Sequence, residues 1–401
     1  MFEVSLGVLP FPYKAMLAIC SDLDETPDFD TYLEIVKFLN TSENTRYGRG
    51  IGLEVGNSIY FDMPKSQFAY WNADEKGRHI IRLLIQSGYI DCLHSYGDLA
   101  SSRRHAETVL DELIKYNCKL SVWVDHAQAP TNFGPDIMMG RGDIPGDEAY
   151  HADLTISYGI KFVWLGRVTS VVGQNVPRKL SGIWTPRHPV ASFKTLLKEV
   201  AKGLLGRQGN GKYAMHHQNN LMRNYKLRNG QEVIEFMRST FHWGGISYDD
   251  TAEGLNDVLT NEKLDLLVKR GGVSIIYTHL GKLKGSRKFP DKTVAALKRL
   301  KRYYEDKKIL VTTTSRLLKY FDMLESLEWT VISNDNELTI EVQTDKDIAD
   351  LQGLSFCIPK DKAVHLKIND KLMDDIIAIE TNSSGHSYIY IPWQKLEFPS
   401  V

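Results

Sequence analysis

Between residue 15 and about residue 324, short apolar runs alternate with segments whose apolar residues recur at every third or fourth position. The short runs predict buried strands, and the three-four spacing predicts amphipathic helices. Repeated strand–helix units are typical of a largely parallel sheet covered by helices. The predicted strands span residues 15–20, 52–55, 90–93, 120–124, 161–165, 273–277 and 309–311.

About seven such units predict an α/β fold in the form of a distorted (β/α) barrel, although an open doubly wound sheet has the same periodicity. Residues 206–230 lack periodicity and predict a polar insertion between barrel elements. After Leu324, short segments alternate apolar and polar residues between Asn, Asp and Gly turns, which predicts a small antiparallel β domain. We therefore expect a barrel domain over 1–324 and a C-terminal β domain of unknown role over 325–401.

The composition is that of an ordinary globular protein. Hydrophobic residues make up 42% and charged residues 25%, and the formal net charge of -1 gives no electrostatic support for binding nucleic acid. No run approaches the roughly 18 apolar residues of a membrane span, and the N-terminus lacks the features of an export signal. Four scattered cysteines without a CxxC pair are typical of reduced thiols, so we expect a soluble, cytoplasmic protein.

Acidic residues and histidines follow four of the predicted strands. In parallel α/β architectures the residues that follow each strand converge on one face. Each of these side chains alone also fits a helix cap or a hydrogen-bonded core residue, but their recurrence at four strand ends favours a shared site. The residues concerned are Asp22 and Asp24, His94 and Asp98, Asp125 and His126, and His279.

The residue types at these strand ends are metal ligands. Carboxylates and an imidazole can hold a divalent ion and leave positions open for water and substrate, and zinc is the ion that we expect. Strand-end position makes Asp24, His94 and Asp98 candidate ligands, and His94 and Asp98 would point the same way if their segment turned helically. His126 is the alternative third ligand.

The order of these motifs resembles the polysaccharide deacetylases of carbohydrate esterase family 4, which fold as a distorted (β/α) barrel. The resemblance covers roughly residues 15–324. Asp22-Leu23-Asp24 looks like the family's first motif, a base and a metal-binding Asp separated by one residue. His94-Ser95 matches the start of the second motif, whose later histidine is replaced here by Asp98. The segment 275–279 is similar to the late motif, so the resemblance makes His279 the general acid.

The third motif of that family, an Arg followed by Pro and Gly, is poorly matched. Residues 125–134 contain Pro130 and Gly134 but no arginine. Trp164 ends a predicted strand where the family places a tryptophan that lines the groove, although a buried core indole fits the same position. The residues expected to contact substrate are His126, Asn132, Trp164 and Arg187.

The resemblance implies a metal-dependent deacetylase that removes an N-acyl group, expected to be acetyl, from an amino sugar, with Asp22 as base and His279 as acid. A cytoplasmic enzyme of this kind would act in glycan biosynthesis on a precursor: a nucleotide sugar, a lipid-linked saccharide or a growing glycan chain. Two alternatives remain open. The chain could be a non-catalytic carbohydrate-binding or assembly protein on the same barrel, or an esterase or amidase that cleaves another acyl bond.

Overall fold

The computed structural model describes residues 4–22, 26–184, 186, 189–240, 251–282, 289–334, 336–360, 362–382 and 385–401. Two of the predicted site residues, Asp24 and Arg187, lie outside the described residues. Within these ranges, no helix is long and apolar enough to cross a membrane.

The chain folds into a mixed α/β structure around one large sheet, which is accompanied by two four-stranded sheets and a two-stranded one. The strands are β1 (Ser5–Leu6), β2 (Met16–Ser21), β3 (Asn44–Thr45), β4 (Gly48–Arg49), β5 (Gly56–Ile59), β6 (Ile90–His94), β7 (Val122–Val124), β8 (Phe162–Trp164), β9 (Val168–Thr169), β10 (Met222–Lys226), β11 (Glu232–Phe236), β12 (Arg238–Ser239), β13 (Val273–Thr278), β14 (Leu310–Thr312), β15 (Glu328–Ser333), β16 (Glu337–Gln343), β17 (Ser355–Ile358), β18 (Ala363–Ile368), β19 (Lys371–Leu372), β20 (Ala378–Thr381) and β21 (Ser387–Tyr390).

Helices connect the strands of the large sheet. Several begin at a side chain that accepts a hydrogen bond from the first turn, as Asp28 does from Thr31 N and Asp74 from Gly77 N. The α-helices are α1 (Phe29–Asn40), α2 (Glu75–Gln86), α3 (Arg103–Lys115), α4 (Ala152–Tyr158), α5 (Pro189–Arg207), α6 (Ala214–Gln218), α7 (Leu255–Val258), α8 (Asn261–Arg270), α9 (Asp291–Glu305) and α10 (Thr314–Ser326).

The large sheet is curled and barrel-like, as the sequence predicts at this coarse level. Its strand order is β10-β11-β8-β7-β6-β5-β2-β13-β12-β9, and β14 also pairs with β2. All neighbours are parallel except β10 and β11. β8 and β11 lie near one end of this order, whereas β9 and β12 lie at the other end. Only residues 165–167 separate β8 from β9, and only Met237 separates β11 from β12. The two ends of the sheet are therefore close together, and the row of strands curls back on itself. The number of β/α units stays a prediction.

Alternate residues of β2 belong to different hydrophobic clusters. Leu17 and Ile19 pack with the residues of α1 and its neighbours, whereas Met16, Ala18 and Cys20 pack with the second large cluster. This alternation is expected of a strand that is buried on both faces. The chain leaves β2 at Ser21, so the next side chain stands at the carboxyl end of the sheet.

The seven predicted strands lie close to observed ones, with one shift, but β9, β10, β11 and β12 of the large sheet were not predicted. The strand predicted at 52–55 is observed at Gly56–Ile59, because the buried run before it bonds to the end of α1, as Leu53 N does to Leu39 O. The segment 206–230, predicted as a polar insertion from its lack of periodicity, contains α6 and β10, and β10 belongs to the large sheet. β10 is an edge strand that is partly exposed along its length, so its apolar pattern is too weak to predict a strand.

The C-terminal strands form two small sheets, in the orders β15-β16-β18-β19 and β1-β17-β21-β20. The pairings are antiparallel except between β16 and β18, which are parallel. The N-terminal strand β1 pairs with β17, so the second sheet is built from both ends of the chain. The domain boundary after residue 324 stays a prediction.

Candidate active site

Four predicted site residues meet at the carboxyl ends of parallel strands. Asp22 follows β2, His94 ends β6, His126 follows β7 and His279 follows β13. His94 Nε2 lies 3.4 Å from Asp22 Oδ2, and the rings of His94 and His126 are 4.9 Å apart. His279 is close enough to Asp22 for its charge to lower the pKa of that carboxyl. We call these four residues the strand-end cluster.

Asp22 is bound by a buried arginine that the sequence analysis missed. Arg238 Nη1 donates to Asp22 Oδ2 at 2.7 Å, and Nη2 donates to Oδ1 at 3.4 Å. Burial alone would raise the pKa of Asp22, but Arg238, and after it His94, outweigh burial and hold this pKa well below its usual range. Asp22 is therefore ionised at neutral pH.

The guanidinium of Arg238 is enclosed by aromatic rings and sulfur. It lies 4.3 Å from the ring centroid of Trp164 and 5.2 Å from that of Tyr277, and Nη2 is 3.0 Å from Cys20 Sγ. Trp164 is itself buried and donates from Nε1 to Arg167 O. Trp164 thus packs against the arginine that binds Asp22. This favours the interpretation of Trp164 as a buried core residue over a contact with substrate.

A signal for Arg238 exists in the sequence. The run 233–237 is apolar except for Glu235, and Arg238 follows it directly. Glu235 obscures the pattern because it is fully buried, where Arg223 Nε donates to it at 2.6 Å and Arg167 Nε lies 3.0 Å away. A strand prediction that allowed one paired buried acid would have placed Arg238 directly after a strand of the same sheet.

His94 presents Nε2 to Asp22 because a backbone carbonyl binds its other nitrogen. Nδ1 lies 3.0 Å from Val124 O, and a carbonyl only accepts, so Nδ1 carries the hydrogen. Burial lowers the pKa of His94, which favours the neutral ring with its lone pair on Nε2. That lone pair faces the ionised carboxylate of Asp22 at 3.4 Å. Two electron-rich atoms in this arrangement are stabilised by a cation.

The segment after His94 does not form the helical turn on which the predicted shared direction of His94 and Asp98 depended. Ser95, Tyr96 and Gly97 have φ angles of 45°, 63° and 110°, so the backbone passes through the left-handed region. A Cβ at Gly97 would lie 2.2 Å from Asp62 O, so only glycine fits there. The expectation that His94 and Asp98 point the same way on a helical turn is therefore wrong.

A chain of buried hydrogen bonds supports this left-handed turn from behind. Thr131 Oγ1 donates to Ser95 O at 2.8 Å, and His151 Nε2 donates to Thr131 O at 2.8 Å. Thr155 Oγ1 lies 2.7 Å from His151 Nδ1 and 2.6 Å from the hydroxyl of Tyr96. Burial lowers the pKa of His151 to about 4, so its ring is neutral and Nδ1 accepts from Thr155.

Asp98 and His126, the two alternatives for the third metal ligand, contact each other. Asp98 Oδ1 lies 2.9 Å from His126 Nδ1. A histidine whose Nδ1 is held by a carboxylate binds metals through Nε2, so this pair is typical of a ligand and its orienting partner. The ring of Tyr60, which follows β5, stacks on His94 at 4.4 Å and meets the edge of His126 at 5.1 Å.

The chemistry of these donors fits a divalent ion. Imidazole nitrogens and carboxylate oxygens within one cluster are the donor types of catalytic zinc sites. Among the described residues, no three His, Cys, Asp or Glu side chains form a metal-holding group by themselves. Asp24, the predicted carboxylate ligand, lies outside that part of the chain. A ligand set would combine Asp24 with His94 and with either Asp98 or His126.

In the strand order of the large sheet, β13, which His279 follows, lies on the opposite side of β2 from β6, which His94 ends. It is buried, and its Nε2 is 3.3 Å from the hydroxyl of Tyr277. The backbone of Asp22 donates to Thr278 O at 2.9 Å, which ties the ends of β2 and β13 together. The two residues predicted as base and acid thus occupy adjacent strand ends.

Asp125 and Asn132 shape the loop after β7. Asp125 accepts hydrogen bonds from Trp123 Nε1 at 2.7 Å, Phe133 N at 2.9 Å and Gly134 N at 2.8 Å. Asn132 is fully buried, accepts from His126 N and donates to His126 O, both at 3.0 Å. This placement of Asn132 favours a structural role over the predicted contact with substrate.

Comparisons of the chain with protein-family models, with curated proteins and with solved structures find no match. The functional assignment therefore depends on the geometry of the strand-end cluster and on the motif resemblance described above.

Proposed function

We propose that the chain is a metal-dependent hydrolase that removes an N-acyl group, in the first place acetyl, from an amino sugar of a saccharide or glycan precursor. The observation that carries the proposal is the contact between His94 Nε2 and Asp22 Oδ2. A neutral imidazole lone pair beside an ionised carboxylate is an arrangement that a bound cation stabilises. A protonated His94 would satisfy the same contact, but its lowered pKa disfavours that form.

Asp22 is the proposed base. Its carboxylate is ionised, and two hydrogen bonds from Arg238 fix its orientation. A divalent ion held here would supply Lewis-acid chemistry, so a base beside it would not need a pKa near neutrality. Asp22 is placed to accept a proton from the attacking water, and Arg238 is the positioning residue that keeps the carboxylate in place.

His279 is the proposed acid. It donates a proton to the departing amine, which would otherwise leave as an unstable anion. The hydrogen bond between Tyr277 and Nε2 orients the imidazole, and Leu280 N donates to Ser21 Oγ at 3.1 Å at the same strand end. Asp24, His94 and Asp98 or His126 would hold the ion, which we propose to be zinc.

The strand pairings support a barrel of about seven units as the proposed architecture of the catalytic domain. β8 and β9 resemble one interrupted strand, and so do β11 and β12. With each pair joined, neighbours run from β2 through β5, β6, β7, β8/β9, β11/β12 and β13 back to β2.

The test is release of acetate from N-acetylated oligosaccharides and nucleotide sugars by the purified full chain. We expect release that a chelator abolishes and that added zinc restores, together with a stoichiometric divalent ion in the purified protein. Matched O-acetylated substrates identify an esterase if acetate is released from them alone.

Absence of a divalent ion, with saccharide binding that a chelator leaves unchanged, would contradict the hydrolase. That result would favour the non-catalytic carbohydrate-binding protein instead. An Asp22→Asn variant separates the two cases further, since a binding protein has no need of a base at this position.

A further inference from the structure

Helix α5 has its polar side inside and its apolar side outside. The residues that it buries are Ser192, Thr195, Glu199 and Gly203. A helix on the surface of a globular protein shows the reverse distribution, with its apolar stripe toward the core. The large apolar residues that α5 exposes are Val190, Phe193, Leu197, Val200, Leu204 and Leu205.

The buried side of α5 is fixed by the carboxylate of Glu199, which is fully buried. Lys202 Nζ lies 2.8 Å from Glu199 Oε1 and donates to Val168 O at 2.7 Å. Thr169 Oγ1 donates to Glu199 Oε2 at 3.3 Å, and His216 Nδ1 lies 3.7 Å from the same oxygen. These contacts tie α5 to β9. If the helix rotated its apolar side inward, the charge of Glu199 would lose its partners.

Two glycines let the helix approach its neighbours on this side. A Cβ at Gly203 would lie 2.5 Å from Arg178 Nη1, and one at Gly206 would lie 2.2 Å from Tyr213 O. The close approach reinforces the orientation that Glu199 sets. The contacts of the buried side therefore determine that the apolar residues of α5 point outward.

The exposed apolar residues form a straight stripe. Val190, Phe193, Leu197, Val200 and Leu204 follow one another at alternating spacings of three and four, which places them on one line of the helix. The stripe extends over roughly 20 Å at the rise of an α-helix. Trp184, also exposed, precedes the helix by a few residues.

The charged side chains that α5 itself exposes are all positive. Lys194, Lys198 and Arg207 are exposed, whereas Glu199, the single acidic residue of α5, is buried against Lys202. A second copy of the chain packed stripe to stripe would bring lysines together without exposed acids to pair with them. A surface of anionic lipid headgroups is complementary to both the stripe and the cations.

We propose that α5 docks the protein on an anionic lipid surface, with the apolar stripe (Val190, Phe193, Leu197, Val200 and Leu204) in the boundary between headgroups and acyl chains. Lys194, Lys198 and Arg207 lie at the level of the lipid phosphates. The helix lies on the membrane, because its other side is occupied by the contacts of Glu199 with β9. The docking does not depend on the reaction proposed above.

The test is co-sedimentation of the full chain with vesicles. Vesicles of phosphatidylcholine and phosphatidylglycerol in equal parts should pellet the protein, and vesicles of pure phosphatidylcholine should pellet much less of it. Combined replacement F193S/L197S should raise the lipid concentration for half-maximal binding by about tenfold or more, because the burial of two large side chains is lost. The charge reversals Lys194→Glu and Lys198→Glu should each cost at least about fivefold in affinity.

The matched controls are Ile332→Ser and Ile379→Ser, which remove apolar side chains of the same exposure outside α5. Ile332 and Ile379 are 55% and 54% exposed, against 54% and 52% for Phe193 and Leu197. These controls should bind vesicles as the unchanged protein does, and all variants should keep its melting temperature.

Three results would overturn the proposal. The first is failure of the unchanged protein to bind anionic vesicles. The second is binding that F193S/L197S leaves intact. The third is a dimer, measured by light scattering without lipid, that F193S/L197S dissociates, since the stripe would then belong to an interface between two copies of the chain.

Discussion

Arg238 and Asp22 form an ion pair, 2.7 Å between Nη1 and Oδ2, in which the arginine is 0% and the aspartate 1% exposed. A pair so deeply buried holds both charges only as long as both partners are present. The proposed role of Asp22 is therefore tied to this ion pair, because the carboxylate that we propose as base is ionised only beside an arginine 216 residues further along the chain.

Replacement of Arg238 by Met should lower the free energy of unfolding by about 3–5 kcal/mol, because it leaves a buried carboxylate without a partner. Asp22→Asn in the same background removes that charge and should recover part of the loss. Urea denaturation of the two single variants and the double variant measures the coupling between them. Additive effects in this cycle would show that the pair is not coupled as its geometry indicates.

Asp22→Asn should lower the turnover number by about 10²- to 10⁴-fold, because the amide cannot accept the proton of the attacking water. Metal content should stay unchanged, which elemental analysis of the purified variant measures. His94→Ala is the contrasting variant and should lose both metal and turnover. Full activity in Asp22→Asn would rule out this residue as the base.

Asp98→Asn should weaken zinc binding by about 10- to 100-fold if Asp98 acts through His126, as its contact with Nδ1 indicates. Competition with a chromogenic chelator measures the affinity. The control is Asp62→Asn, because Asp62 lies 3.9 Å from His105 in a second carboxylate–histidine pair. An Asp98→Asn variant that binds zinc as tightly as the unchanged protein would remove Asp98 from the site.

Gly97→Ala should destabilise the protein by about 3 kcal/mol or more. The left-handed backbone costs an alanine about 1–2 kcal/mol, and the contact of its Cβ with Asp62 O adds about 1–3 kcal/mol of overpacking. Gly146→Ala is the matched control, because Gly146 has a similar positive φ and open space at its Cβ. Equal effects of the two variants on thermal unfolding would show that the contact between the Cβ at position 97 and Asp62 O does not destabilise the protein.

The stability that His151 contributes should be lost in mild acid. Its pKa in the folded protein is lowered from the usual 6.5 to about 4, so the unfolded chain takes up a proton first as the pH falls. This contribution is complete above pH 6.5 and disappears between pH 6.5 and about 4, a loss of about 3 kcal/mol. Urea unfolding across this window should show a weaker pH dependence in His151→Gln than in the exposed control His79→Gln. The same slope in both variants would contradict the assignment.

The position of the site residues at strand ends was predictable, because parallel strands have their carboxyl ends at the same edge of the sheet. Asp22, His94, His126 and His279 each follow or end an apolar run, and a curled parallel sheet brings such positions together wherever they lie in the sequence. Prediction of these residues needed the strand pattern alone. The coarse fold was predictable for the same reason.

The contacts inside the cluster were not predictable in this way. Arg238 lies 216 residues from Asp22, and the apolar run before it is broken in sequence by the buried acid Glu235. The left-handed path of Ser95 and Tyr96 depends on Thr131 and His151, whose side chains come from loops and a helix start elsewhere. The sequence does not reveal these tertiary hydrogen bonds, which hold the segment in the left-handed path.

The hydrogen bonds that run from Tyr96 through His151 to Ser95 give the residues of the segment 94–98 two different roles. His94 and Asp98 face the other site residues, whereas the residues between them are held by the interior of the protein. The side chain at position 98 can therefore change without moving the backbone that places His94. The turn gives the protein a position at which new chemistry can evolve while the scaffold stays unchanged.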